Sequence, residues 1–353
     1  MYIVFFIFFV YLLLIICFSF IFFFVKNHKN NLLIIDYTVV IPVKNEVDNI
    51  IHCINSILTQ KNLPKKIIIV DDHSSDDTYK VIQENFLNSE LIKYIRLDNQ
   101  ESSKKTAIKK GLLSCDTDWV MITDADCVWH KSFSESFNFD NDKRLISFPV
   151  VYANASSFIS KVFQVELLLI NSVGWVSMLL KKPFLISGAG MMFKKYDYLE
   201  FCETITTPTT HGDDMFFLEF IKKKYGNDTI QINLSPRSLV FTKPPKDVKE
   251  YVHQRARWSS KTPYYQNFIS WFWAILTSLI QFSIPLALLF NIKIGILLLS
   301  TKLLAELFLY SSAVKFFKIS YHLLACIFFS MFSWIFFIMI LYRWVSGFEW
   351  KKN

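Results

Sequence analysis

Four stretches of the chain are apolar at nearly every position, one at its start and three towards its end. Tyr2 to Val25 carries no charge, and as a helix it would reach about 36 Å, enough for a hydrocarbon core of about 30 Å. Phe268–Phe290 is also uncharged, with Trp271 and Trp273 near its start, where an interfacial belt would place them. Ile319–Tyr342 is long and uncharged apart from His322. Ile294–Tyr310 is interrupted by Lys302 and Glu306, which lie four apart on one helical face and can pair. An ionised side chain within a membrane is a functional candidate by default. The spacing here favours a structural pair facing the bundle interior. Three or four spans are expected.

Between these ends the pattern changes. Residues 36–245 have no long apolar run and alternate short Val/Ile-rich segments with helical ones, the signature of an α/β domain around a mainly parallel sheet. Tyr37 to Pro42 reads as a buried strand, Val43 to Thr59 as a helix, and Lys66 to Asp72 as a second strand. Ser75 to Asn88 reads as a helix and Trp119 to Asp124 as a further strand. Both later strands end in acid. In doubly wound sheets ligands bind beyond the carboxyl ends of strands. The expected organisation is an anchor over 1–30, a catalytic domain over 31–245, an interfacial segment over 246–267 and transmembrane helices over 268–353.

Composition sharpens the membrane reading. Of 353 residues 52% are hydrophobic and 36 are Phe, clustered in the apolar blocks rather than spread. The formal net charge of +8 raises nucleic acid as a partner, but no basic stripe with interleaved aromatics is present. Attraction to anionic headgroups accounts for the charge, and no nucleic-acid partner is expected. Lys26, His28 and Lys29 follow the first span, so the positive-inside bias sets the rest of the chain in the cytoplasm, as an integral protein of the cell or inner membrane. No positive residue precedes that span and no small-residue cleavage site follows it, which argues against a signal peptide. Arg343, Lys351 and Lys352 oppose an external C-terminus and leave room for one re-entrant or interfacial segment. The six cysteines show no CxxC or zinc-site spacing and read as reduced, mostly buried thiols. Eight glycines form neither GxGxxG nor GxxxxGK, against dehydrogenase and ATPase chemistry.

Candidate chemistry lies in four places. Asp124 and Asp126, one residue apart after a strand, can face one hard cation such as Mg²⁺ or Mn²⁺. A surface turn explains the same tripeptide. Asp71 and Asp72 precede a Ser/Asp-rich helix start and exceed what a cap needs, so that a carboxylate there is free for a base or ribose. In His211-Gly-Asp-Asp214, Asp213 and Asp214 either complement a helix macrodipole or supply a general base. Gln254, Arg257 and Trp258 share a helical face; Arg can hold a diphosphate and Trp can stack on a sugar, while interfacial anchoring is the plainer alternative.

In this order the motifs resemble those of glycosyltransferase family 2. Pro42-Val-Lys-Asn45-Glu46 is similar to its early Pro-x-x-Asn-Glu, and Val70 to Asp76 to its Val-Asp-Asp-x-Ser-x-Asp turn. Asp124 and Asp126 match its Asp-x-Asp, and Asp213-Asp214 its acceptor-site acids. Gln254, Arg257 and Trp258 match the Gln-x-x-Arg-Trp of the membrane-bound branch, which includes enzymes resembling ceramide glucosyltransferase and polysaccharide synthases. The resemblance covers about residues 36–260. It implies a GT-A fold, a UDP-sugar donor and inversion at the anomeric carbon. It further implies that Glu46 and Asp72 contact uridine, Asp124 the donor and Asp126 the metal. Lys104 or Lys105 would contact donor or diphosphate, and Asp214 would be the base. Gly188 and Gly190 would let the backbone approach the donor, or else form a tight turn. Two departures stand out: His73 occupies a position where glycine is common, and Asp213 replaces Glu.

The implied function is transfer of a sugar from a UDP-sugar to a lipid or lipid-linked acceptor at the cytoplasmic leaflet. A processive polysaccharide synthase is the alternative. A non-catalytic sugar-nucleotide-binding membrane protein is the second.

Overall fold

The computed structural model describes residues 2–25, 35–86, 89–98, 102–140, 142–153, 155–204, 213–265 and 267–346, with only the backbone at 213. Lys26, His28, Lys29, Lys351 and Lys352, on which the orientation argument leaned, lie outside the described residues, as do His211 and Gly212. The strands in chain order are β1 Tyr37–Val43, β2 Lys66–Asp71, β3 Ile92–Arg96, β4 Trp119–Ile122, β5 Val128–Trp129, β6 Leu145–Ser147, β7 Val150–Tyr152, β8 Met191–Lys194, β9 Ile230–Ile232 and β10 Val240–Thr242. The helices are α1 Tyr2–Phe24, α2 Ile50–Leu58, α3 Thr78–Phe86, α4 Lys104–Leu113, α5 Phe158–Leu179, α6 Lys195–Thr204, α7 Asp213–Tyr225, α8 Val248–Ser259, α9 Phe268–Phe290, α10 Ile292–Phe317 and α11 Leu323–Val345. Two compact units divide the chain. One comprises Asn27–Val151 and Ser177–Lys243, the other Met1–Lys26, Tyr152–Val176 and Pro244–Asn353.

The first unit is built on a seven-stranded sheet of order β3-β2-β1-β4-β8-β6-β9. β1 pairs in parallel with both β2 and β4, β2 with β3, and β6 with β9; β8 runs antiparallel to β4 and β6. The mainly parallel α/β sheet expected from the apolar runs is therefore present, with β8 as the antiparallel insert. Burial on both faces explains why β1 and β2 read as continuous Val/Ile runs rather than alternating ones. Because β2 and β3 lie to one side of β1 and β4 to the other, the strand order reverses between β1 and β4. That reversal opens a crevice at their carboxyl ends. A second sheet of order β5-β10-β7 carries the segment after β4.

Helix starts differ from the sequence expectation. α2 begins at Ile50, not Val43, because the intervening amides are bonded elsewhere. The N–H groups of Asn45, Glu46 and Val47 donate to Ser74 Oγ, Thr78 Oγ1 and Asp76 Oδ2 at 2.9, 2.8 and 3.2 Å. Asn45 adopts φ 57°. α3 begins at Thr78, not Ser75, with Asp76 Oδ1 accepting the Thr78 N–H at 3.0 Å.

The second unit is helical. α1 packs against α9 and α10, α10 also against α9 and α11, and α11 against α8. Four helices among the described residues, α1, α5, α9 and α11, are long and apolar enough to cross a membrane. α5 corrects the reading of 36–245 as free of long apolar runs. Lys161, Gln164 and Glu166 interrupt its first turns and disguise it. α10 is longer than the expected Ile294–Tyr310 segment. Its Lys302 and Glu306 do pair, at 2.7 Å, with Lys302 fully buried. Lys302 Nζ also donates to Ser330 O and Ser333 Oγ, each at 3.1 Å. Glu306 Oε1 accepts from Tyr11 Oη at 2.7 Å, and Ser333 Oγ donates to Gln281 Oε1 at 3.0 Å. With its three N–H donors used, Lys302 is structural, as its spacing indicated.

Candidate active site

The acid pair lies just past β4, at the carboxyl end of the crevice. The Cys127 N–H returns to Asp124 O at 3.0 Å and closes a turn. β5 then pairs with β10, and Thr242 at the end of β10 donates its hydroxyl to Asp126 Oδ2 at 2.9 Å. Burial, and next the charge of Asp124, push the Asp126 carboxyl above its ordinary range; the bonds from Thr242 and Cys127 and the Lys104 charge offset part of this. Glu46, in the turn after β1, is also raised, first by burial, with the charges of Asp126 and Asp124 adding to it; Asn49 and Lys243 oppose. Three carboxyl groups therefore feel one another at the strand reversal. Lys104, at the first turn of α4, forms an ion pair with Asp124 Oδ1. α4 reaches that place because Gly111 lets it lie on the sheet: a Cβ there would stand 2.6 Å from Val40 Cγ1.

This donor set fits a hard divalent cation. Two carboxylates held in a half-buried site and repelling one another gain most from a cation that relieves both. Among the described residues no group of three His, Cys, Asp or Glu side chains converges to hold an ion. The remaining ligands of a cation at Asp124 and Asp126 would be water or substrate oxygens.

On the β2 side the structure separates two neighbouring acids. Asp71 is wholly buried, with Ser74 N–H at 2.9 Å on Oδ1 and Tyr94 Oη at 2.6 Å on Oδ2. The strand pleat turns it inward, and both of its oxygens are bonded within the protein. Asp72 points the other way, beside His73 Nδ1 at 3.2 Å and Lys44 Nζ at 3.8 Å. His73 itself has φ 59°, which explains why glycine is common there. Asn45 ties the loop, its Oδ1 accepting the Ser75 N–H at 2.8 Å. Pro42 lies within β1 opposite Val70.

Asp214 stands in the first turn of α7. Its Oδ2 accepts the Gly188 N–H at 3.2 Å and its Oδ1 the Met215 N–H at 2.9 Å. The Asp213 side chain lies outside the described residues. The two glycines differ. A Cβ at Gly190 would meet Val150 Cγ2 at 2.9 Å and the Phe148 carbonyl at 3.1 Å, so that glycine serves strand packing. The nearest atoms to a Cβ at Gly188, among the described residues, would be those of Asp214, at 3.4 Å or more. Lys105 turns away from Asp124 and lies over the Phe201 ring, 5.3 Å from its centroid, which leaves Lys104 as the lysine of the acid pair.

In the helical unit, α8 carries Gln254, Arg257 and Trp258. Arg255, between them, is buried and forms a two-pronged ion pair with Glu166 of α5, Nε lying 2.8 Å from Oε1. Sequence reasoning missed Arg255, Glu166 and Thr242. A lone acid inside an otherwise apolar helix was the available signal for Glu166; Thr242 offered none, since its bond depends on a strand pairing distant in sequence.

A sheet of this order with acids at its reversal point defines the GT-A fold. The chain belongs to glycosyl transferase family group 2, whose family model matches residues 119–347, and the model of glycosyl transferase family 2 matches residues 38–198. Poly-beta-1,6-N-acetyl-D-glucosamine synthase of Staphylococcus aureus is 29% identical over 164 residues, 45% of this chain and 39% of the relative. The match thus spans about two fifths of that relative's length. Among solved structures, the mannosyltransferase PcManGT from Pyrobaculum calidifontis, in complex with GDP-Man and Mn²⁺, superposes with a TM-score of 0.51 at 15% identity over 90% of this chain and 88% of its own. Glucosyl-3-phosphoglycerate synthase from Mycobacterium tuberculosis, with Mn²⁺ and UDP, gives 0.39 at 18% identity over 56% and 68%.

Proposed function

We propose that this membrane glycosyltransferase moves a sugar from a UDP-sugar to a lipid or lipid-linked acceptor at the cytoplasmic leaflet, with inversion at the anomeric carbon. The grouping of Asp124, Asp126 and Glu46 where the strand order reverses is the observation that carries the reading. Glu46 and Asp72 would hold the uridine, and Lys104 would keep Asp124 oriented at the donor. Asp124 and Asp126 would hold Mg²⁺ or Mn²⁺, which, when bound, offsets charge developing on the departing diphosphate.

Asp214 is the proposed base. Two backbone N–H groups hold its carboxylate in one orientation, and a carboxylate so placed is the residue type that serves as a general base. It would take the acceptor's hydroxyl proton as that oxygen bonds to the anomeric carbon, while the bond to the diphosphate breaks and UDP leaves with the electron pair. Gln254, Arg257 and Trp258 would bind acceptor or diphosphate.

A second reading, polysaccharide synthesis, is favoured by the match to the S. aureus synthase. Membranes containing the protein would be given Mn²⁺ or Mg²⁺ with labelled UDP-glucose, UDP-galactose or UDP-N-acetylglucosamine. Label in the organic phase supports the lipid acceptor, and label in long polymer the synthase. Asp214→Asn should lower transfer by about 10²–10⁴-fold, the usual contribution of a positioned base. Binding of a donor without transfer or metal-dependent UDP release would leave a non-catalytic binding protein.

A further inference from the structure

Arg255 is buried, with polar and aromatic partners around its guanidinium. Its Nε and Nη2 grip the Glu166 carboxylate. Nη1 donates to Gln254 Oε1 at 2.6 Å, and its guanidinium carbon lies 4.1 Å from the Trp258 ring centroid. Tyr152 Oη donates to the same Gln254 oxygen at 2.8 Å, and Tyr251 Oη donates to Glu166 Oε1 at 3.1 Å. A guanidinium has only donors, so the Gln254 atom facing it must be the carbonyl oxygen. That fixes the amide orientation chemically: the oxygen is taken twice, and the NH₂ group is the end left to meet a ligand.

We propose that Glu166 and Arg255 are positioning residues that set the polarity of Gln254, making it a hydrogen-bond donor to an oxygen-rich ligand, a diphosphate or a sugar hydroxyl, and that hold the Trp258 ring by stacking. Glu166 acts at one remove. It locks the guanidinium by a bidentate contact, and the guanidinium in turn selects which end of Gln254 is presented. The inference rests on the reading of Gln254 and Trp258 as ligand-binding residues, so transfer by the unaltered protein is measured first; its absence sinks both, whereas a contrary result confined to the variants sinks only this one.

Two variants then test the polarity. Gln254→Glu keeps the acceptor towards Arg255 and Tyr152, where a carboxylate is the stronger partner, but removes the outward NH₂ donor. It should unfold at the wild-type temperature or above and lose about ten- to a hundredfold in kcat/KM for the labelled UDP-sugar, the value of one hydrogen bond to a charged or strongly polar group. The exchanged pair Glu166→Arg with Arg255→Glu restores the ion pair but sets an acceptor beside Gln254, which turns the amide over. It should therefore fold and remain impaired. A purely structural ion pair predicts the opposite, restored transfer. Wild-type kcat/KM in Gln254→Glu, or in a folded exchanged pair, overturns the proposal. So does failure of Gln254→Glu to fold, since a carboxylate at 254 is what the assigned geometry favours. If the exchanged pair does not fold, Gln254→Glu decides alone.

Discussion

Thr242 donates to one oxygen of Asp126 and Cys127 Sγ lies 3.5 Å from the other, so the second acid of the pair is held in one orientation before any ligand arrives. Groups of this kind behind a metal ligand are worth about tenfold or more in affinity. Thr242→Val keeps the β-branched shape of the strand residue and removes only the donor. It should weaken Mn²⁺ binding by about tenfold, measured as the metal dependence of the unfolding temperature; unchanged dependence would remove Thr242 from the site. The same assay carries a pH prediction. Asp126 and Glu46 are raised by folding, first by burial, so without a cation their contribution to stability is present at low pH and is lost as pH rises through the raised values. A divalent cation favours the carboxylates and reverses that loss. The stabilisation by Mn²⁺ should therefore grow as pH rises above the ordinary carboxylate range. An increment that does not vary with pH would place the metal elsewhere.

At the scale of elements, the two glycines just before β8 should respond differently to substitution. Gly190→Ala forces a methyl group against the Phe148 carbonyl at 3.1 Å and Val150 Cγ2 at 2.9 Å. The strand junction must move, at a cost of about 1–3 kcal/mol, visible as a lower unfolding temperature. Gly188→Ala has Asp214 as its nearest neighbour among the described residues, at ordinary contact distance, and should leave that temperature unchanged while raising KM for the donor. How far such elements could be read from sequence depended on whether their determinants were local. β1, β2 and β4 were legible to within one or two residues because strands buried on both faces are continuous apolar runs. The start of α2 was not, because side chains some thirty positions away bind its leading amides. Asp71 and Asp72 were indistinguishable as letters, and only the pleat decided between them. α5 was hidden by Lys161, Gln164 and Glu166, the last of which pairs with Arg255.

At the scale of the whole molecule, buried charge serves two ends within the helical unit. Lys302 and Glu306 tie α10 to α1, α9 and α11 through Tyr11, Gln281, Ser330 and Ser333, and every donor of Lys302 is used within the protein. Arg255 and Glu166 are as deeply buried, but they border Gln254 and Trp258, which carry a proposed ligand role. The two pairs should therefore fail differently. Lys302→Met strands the Glu306 carboxylate, and breaking a buried pair from one side costs about 3–5 kcal/mol. Its unfolding temperature in detergent should drop, while transfer per folded molecule stays at the wild-type level. Adding Glu306→Gln removes the stranded charge, keeps an acceptor for the Tyr11 hydroxyl and should recover most of the loss. Gln254→Glu should show the reverse pattern, with stability kept and transfer lost. If Lys302→Met lowered transfer per folded molecule, the α10 pair would belong to the chemistry after all, and the assignment of one buried pair to assembly and the other to the site would have to be withdrawn.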